Sequence, residues 1–286
     1  MHKFIGLILL VVIIGFVFFA YNKLPQYFGR DSDKSDTQKP PAFQSKIKPA
    51  PVIVRQEKSA ISAVGTVVSN LEKVKISGIR PASSGRNYSE ISLSANLQEG
   101  EKINITGWQI KSNKAYFFVP RGAEIYEPGG LSAPSDIYLR RGDKARLYSN
   151  TSRVGLNFKL NKCIGYLETA GSFTPSLPKN CPRANRSEIV GFSGACQDYS
   201  LSLRTCAPAN DNPPVPYNDQ PCRDFLKTFT YLGCFERYQD DADFLSREWW
   251  IWLGDSFGNQ ADILDPRHDQ VRLYDDKGNL VDEYTY

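Results

Sequence analysis

Histidine is nearly absent. The 286-residue chain has two, and His2 stands ahead of a long apolar run, so only His268, in DPRHDQ, remains for a Ser-His-Asp or Cys-His arrangement. There is no HExxH, GxSxG, GxGxxG or phosphate-binding loop, which removes the common metalloprotease, serine hydrolase and nucleotide-binding signatures. No cysteine occurs before Cys163 and none of the cysteines forms a CxxC, which argues against a zinc ribbon. Net charge is also missing where it would matter. The formal charge of +4 is matched by residues 23–58 alone, leaving the rest of the chain close to neutral. A sequence pI of about 8.6 is therefore no sign of a nucleic-acid surface on the folded part.

What is present starts with FIGLILLVVIIGFVFFAY, Phe4 to Tyr21, an uncharged run. A helix needs about 20 apolar residues, with a range of about 17–25, to cross a bilayer. A cleaved signal peptide is the rival, but its apolar stretch is about 7–15 residues and it ends in small residues at alternate positions. Here the run closes on Phe18-Phe19-Ala20. An uncleaved membrane anchor over residues 1–22 is expected, a single N-terminal span. Residues 23–58, rich in Pro, Lys, Asp, Ser and Gln, read as a flexible stalk.

Two signals disagree on orientation. Lys3 precedes the span, whereas Lys23, Arg30, Lys34 and Lys39 follow it, which places the C-terminal side in the cytoplasm by charge counting. That rule weakens when a long domain follows. Against it stand six cysteines, Cys163, Cys181, Cys196, Cys206, Cys222 and Cys234, an even number inside one window without metal-site spacing. Such a cluster predicts three disulfides and an oxidising compartment. The expected location is the cell membrane, single-pass, with the folded part extracytoplasmic. Of the 15 possible connectivities, sequential pairing (Cys163–Cys181, Cys196–Cys206, Cys222–Cys234) is the simplest.

From residue 59 onward, short alternating runs separated by Gly, Pro and Asn predict an all-β sandwich or barrel. KVKISGIRP alternates with a slip at Gly78 that reads as a bulge. EISLSANL, KINITGWQI, AYFFVP, SDIYLRRGD, KARLYSN and VGLNFKL continue the pattern, and DQVRLYDDKGNLVDEYTY reads as a hairpin around DDKGN. Between about 161 and 247 the style changes to prolines, cysteines and aromatics, with one or two helical turns expected in CRDFLKTFTYLGC. Strands resume at EWWIWLG. The cysteine-rich stretch therefore reads as an irregular insertion into one β domain spanning 59–286, with its two ends close together. The closing hairpin and EWWIWLG are expected to pair with the strands that precede it.

EISLSANLQEGEKINITGWQIKS, followed by FVPRGAEIYEPGG, DIYLRRGDKARLYSN and the terminal VRLYDDKGNLVDEYTY, resembles the lamin tail domain in motif order. The likeness covers about Val74 to Asn150 and Glu248 to Tyr286, and the chain departs from it by the long insertion. It is similar to a membrane-anchored bacterial variant of that domain. The resemblance implies a compact immunoglobulin-like β-sandwich with no lamin rod, since no heptad region precedes it. It also implies interaction rather than chemistry. Members occur in nuclear intermediate filaments and as accessory domains beside extracellular bacterial hydrolases and nucleases.

Chemistry has two weak footholds. Asp240, Asp241 and Asp243, then Asp255, Asp262, Asp265 and Asp269, form an acidic stretch that with His268 would serve a hydrolase, or bind Ca²⁺. The spacing matches no calcium loop, and turn-forming aspartates explain it. Aromatics are more unusual. Strand alternation puts Trp249 and Ile251 on one face and Trp250 and Trp252 on the other. One face must be core. The second is either a binding platform carried by Trp250 and Trp252, or is covered by the insertion that enters just before it. The expectation is a non-enzymatic module, with no cofactor and no metal, that binds a protein or an envelope polymer. An extracellular hydrolase and a surface DNA-binding module are the alternatives.

Overall fold

The computed structural model describes residues 72–130, 132–254 and 263–286. The expected membrane span, the stalk, Asp255 and Asp262 lie outside the described residues. Among the described residues, no helix is long and apolar enough to cross a membrane.

Alternation drives the sheets. In β1 (Val74–Arg80), Val74 and Ile76 are buried while Lys75 and Ser77 face solvent. The register against β2 (Glu90–Ala95) slips between Ile76 and Gly78, as the sequence predicts for the bulge. β2 pairs with β7 (Lys144–Tyr148), β7 with β9 (Leu245–Trp252), and β9 with β8 (Phe158–Asn161), giving a five-stranded sheet in the order β1-β2-β7-β9-β8. All neighbours are antiparallel except β7 and β9.

The second sheet has four strands, β11 (Leu280–Thr285), β10 (Gln270–Tyr274), β4 (Gln109–Lys111) and β5 (Tyr116–Phe118), in that order. The expected terminal hairpin is therefore present, and the strands before the insertion complete its sheet. EWWIWLG does not join that sheet; it lies in the five-stranded one. KINITGWQI also divides. Its first part is β3 (Lys102–Asn104), which pairs with β6 (Tyr138–Arg140) in a two-stranded ribbon, and its second part is β4. The break falls at Gly107, whose φ of +80° suits glycine and whose N–H donates to the Val119 carbonyl.

Between the two larger sheets lies one core. Val74, Ile91, Leu93, Ala145, Leu147, Trp249 and Ile251 meet Ile110, Phe117, Val271, Leu273 and Val281, with Trp108 among them. A second core lies on the opposite face of the five-stranded sheet, where Tyr148, Phe158, Trp250 and Trp252 pack against the insertion. The layers are thus sheet, sheet and insertion.

The insertion leaves and returns as expected. Asn161 at the end of β8 is in register with Leu245 at the start of β9, and Lys162 N–H donates to the Phe244 carbonyl at 2.9 Å. It is not irregular, however. It holds a 3₁₀ segment (Ile164–Ala170) and four short α-helices: α1 (Arg186–Ile189), α2 (Gly194–Ser202), α3 (Gln220–Leu226) and α4 (Tyr231–Tyr238). Each begins at a polar residue whose side chain accepts a first-turn N–H: Asn185 from Ser187, Ser193 from Cys196, Asp219 from Cys222 and Thr230 from Gly233. Helices this short are marginal alone; caps and disulfides hold them here. Tyr231 locks α4 to the sandwich, donating to the Tyr126 carbonyl at 2.5 Å and accepting from Asn161 Nδ2 at 3.1 Å.

Candidate binding cleft on the insertion

All six cysteines are bridged, but not sequentially. The pairs are Cys163–Cys234, Cys181–Cys206 and Cys196–Cys222. The expected sequential pairing is corrected because the insertion folds as a closed loop. Cys163 lies two residues beyond the end of β8, and α4 brings Cys234 back beside it. The other two pairs overlap along the chain, so each ties a different part of the insertion. Cys196, Cys222 and Asp219 bring three ligand-type atoms within 4.8 Å of one another, yet both sulfurs are held in one disulfide and offer no thiolate to a metal.

Trp250 and Trp252 are not a platform. They are 5% and 1% exposed, respectively, because the insertion covers that face. Trp252 packs with its ring tilted against Phe158 at 5.2 Å and Phe173 at 6.2 Å, and its indole N–H donates to the Thr174 carbonyl at 3.2 Å. Trp250 meets Tyr148 at 5.1 Å and donates to Glu248 at 2.6 Å. Trp249 is in the sandwich core with Ile251, as alternation requires.

The acidic stretch is divided among structural tasks. Asp241 and Asp243 pair with Lys162, and that bond holds the Asp243 carboxyl below the usual range. Asp240 is exposed. Asp269 is fully buried and accepts from the N–H groups of Asn113 and Asp265, both at 2.8 Å, so its carboxylate clamps the hairpin base. The Asp265 carboxyl is held low, chiefly by the Arg267 N–H that donates to it at 2.9 Å. Exposed His268 bonds through Nδ1 to the Tyr286 carbonyl at 2.7 Å. Its neighbouring aspartate is turned inward to backbone, so the His–carboxylate geometry of a general base is not built from these two groups.

A cleft of about 450 Å³ opens instead on the outer side of the insertion, between the loop around Asn210–Tyr217 and helix α3. Asp219 caps α3 and also accepts from Ser193 Oγ at 2.6 Å, which fixes the helix that carries the cleft. The Cys196–Cys222 bridge secures the same helix to α2. From α3, Arg223 projects beneath Tyr217, with its guanidinium carbon 4.9 Å from the ring centroid. Tyr217 is 87% exposed. Arg223 forms no ion pair among the described residues, and its Nε–H is shielded from solvent without an acceptor. A shielded donor without a partner costs about 1–3 kcal/mol. Lys227 in the same wall is occupied by Asp224 at 2.6 Å. Asn210 and Gln220 add amides, and Asp211 is the one carboxylate in the lining.

A second exposed surface is the outer face of the four-stranded sheet. There Tyr116 and Phe118 are 61% and 51% exposed and meet edge-on at 6.2 Å, with Lys111 in register opposite Tyr116.

Neither Tyr217 nor Arg223 is marked by sequence pattern. The proline-rich PVPYNDQPCRDF signals a loop into a capped helix, and the contact between the two side chains depends on how that loop turns back.

No protein-family model matches the chain, and no curated protein matches it either.

Proposed function

We propose that this protein is a non-catalytic interaction module, held at the membrane by the apolar run at its N-terminus and displayed outside the cytoplasm on a basic stalk. The displayed part is a lamin-tail-type, immunoglobulin-like sandwich, and the insertion is its contact region for a protein or envelope polymer. Support for the compartment comes from three disulfides with no free thiol among the described cysteines. Support for the family comes from the motif order and from two packed sheets with Trp108 in the core between them.

The observation that carries the binding role is the cleft beneath Tyr217. A disulfide-held helix presents an unpaired arginine under an exposed aromatic ring, while the tryptophan face is used internally. Arginine and tyrosine are the residue types that dominate contact surfaces. Hydrolysis has less support, because Asp269 is taken by backbone N–H groups. Near-neutral charge beyond the stalk argues against DNA.

The test is co-sedimentation of the detergent-solubilised full-length chain with washed, lipid-free, insoluble envelope polymer, so that the N-terminal apolar run cannot itself carry the chain into the pellet. The wild type is expected in the pellet, and an R223Q/Y217A double variant is expected in the supernatant. A wild-type chain that stays wholly soluble refutes the reading.

A further inference from the structure

Resting on the reading of the insertion as the contact region, we propose that the cleft takes the carboxylate of an acidic sugar, a hexuronic acid unit of an envelope polysaccharide. The anion is called for by Arg223. Its guanidinium lacks an ionic partner among the described residues, and Tyr217 lies 4.9 Å above it. A guanidinium presents a planar fork that a carboxylate fills with two parallel hydrogen bonds. Lys227 lines the same cleft and pairs at the surface with Asp224 at 2.6 Å, so it adds a second, exposed cation at the rim.

The number of charges is limited too. Asp211 lines the same cleft, so a second anionic group placed there meets like charge. That suits one carboxylate per unit. The rest of the ligand is indicated by the other walls. Asn210 presents an amide suited to hydroxyls, as does Gln220 through the amide oxygen left after its Nε2 donates to Asp224 Oδ1 at 3.0 Å, and Tyr217 exposes a ring against which a sugar can lie. Ala209, Pro213 and Leu226 add apolar lining beside the Tyr217 ring, surface on which the C–H face of a sugar can rest. A volume of about 450 Å³ lies in the range of small-ligand sites, about 300–1,000 Å³.

The experiment is calorimetric titration of the full-length chain with tetragalacturonate, with its fully methyl-esterified form and with tetraglutamate. Tetragalacturonate is expected to bind, and esterification is expected to weaken binding by about tenfold or more, as loss of a charge-assisted pair does. R223Q should match that loss. R223K keeps the charge but loses the fork, and is expected to fall between R223Q and wild type. D211N, at an exposed position, should bind more tightly than wild type and reports on the same cleft without disturbing α3. Equal binding of the ester, unchanged affinity in R223Q, or tetraglutamate binding as well as the sugar would each overturn the proposal. The two readings fail separately. If R223Q still sediments with envelope material as wild type does, the module binds elsewhere and only the cleft assignment falls. If wild type does not sediment at all, the interaction reading itself falls.

Discussion

Removing Lys159 from β8 is expected to cost at least as much as replacing it together with its partner. Lys159 Nζ lies 3.1 Å from Asp143 Oδ2, and both side chains are 4% exposed. Lys159 stands opposite Trp249 in the β8–β9 register, with its ammonium 5.9 Å from that ring. It reaches across β9 to the residue that leads into β7, so the pair straps three strands at the root of the insertion. At an effective dielectric of about 20, attraction at this distance is about 5 kcal/mol. Desolvation costs several kcal/mol per ion, so the intact pair lies near break-even. A single substitution leaves the opposite charge buried. Lys159→Met is therefore expected to lose about 3 kcal/mol, the lower end of the 3–5 kcal/mol range for broken buried pairs. The lower end applies because Asp143 keeps the Arg140 N–H at 3.1 Å, and because the pair floors a charged cleft of about 710 Å³. Asp143→Asn should cost a similar amount. The double variant should cost no more than the larger single, a non-additivity of about 3 kcal/mol. Urea unfolding followed by tryptophan fluorescence, with unchanged m-values, measures all three. Additive losses below about 1 kcal/mol each would show that the pair behaves as an exposed one, and the reasoning would fail.

Three further outcomes are expected. Opening Cys163–Cys234 by a double alanine substitution should destabilise more than opening Cys181–Cys206. The sequence separations are 71 and 25, which the chain-entropy model converts to about 4.4 and about 3.5 kcal/mol; a reversed order of melting temperatures would contradict this. Gly165→Ala should impair formation of the Cys181–Cys206 bridge, because an added Cβ would meet Cys206 Sγ and lie 2.7 Å from the Pro178 carbonyl oxygen. Free-thiol counting after expression reads it, and a fully oxidised, equally stable variant would be the contrary result. At high pH, burial pushes the Tyr166 and Tyr286 phenols up to about 12 and raises Tyr148 and Tyr231 as well. A raised folded value favours the neutral form. Its contribution is complete below the unfolded value of about 10 and is lost as pH climbs toward 12. Absorbance at 295 nm should reach only part of its full tyrosine amplitude before circular dichroism collapses, the rest appearing with the collapse; release of the whole amplitude near pH 10 with intact ellipticity would refute it.

Local pattern made the strands readable. Alternation located β1 with its bulge at Gly78, the two faces of β9, and the terminal hairpin, whose turn carries Gly278 at φ +82° and Asp275 accepting from the N–H groups of Lys277 and Asn279. These features depend on neighbours a few residues apart. The partition of KINITGWQI between two sheets, the Lys159–Asp143 strap and the disulfide pairing depend on residues far apart in sequence, and no local period encodes them. Of the insertion's helices, α3 and α4 fall where helical turns are expected in CRDFLKTFTYLGC, and α1 and α2 were hidden for a different reason. Each spans at most nine residues, and α2 has no clear apolar face, so a 3.6-residue period has little room to appear.

Burial of Trp250 and Trp252 removes that face of β9 from the protein's surface. A strand apolar on both faces is buried on both sides, and β9 satisfies this by taking one layer from the second sheet and the other from the insertion. The insertion therefore does two things at once. Its inner side completes the sandwich, through Phe173 against Trp252 and through Tyr231 bonded to Tyr126 and Asn161. That inner contact leaves its outer side free to differ without disturbing the sheets. The Tyr217–Arg223 cleft lies on that outer side, on α3 and the loop before it, where the support comes from Asp219 and the Cys196–Cys222 bridge rather than from the strands. Substitution in the loop around Asn210–Tyr217 can therefore reshape the proposed cleft while the sandwich core remains intact.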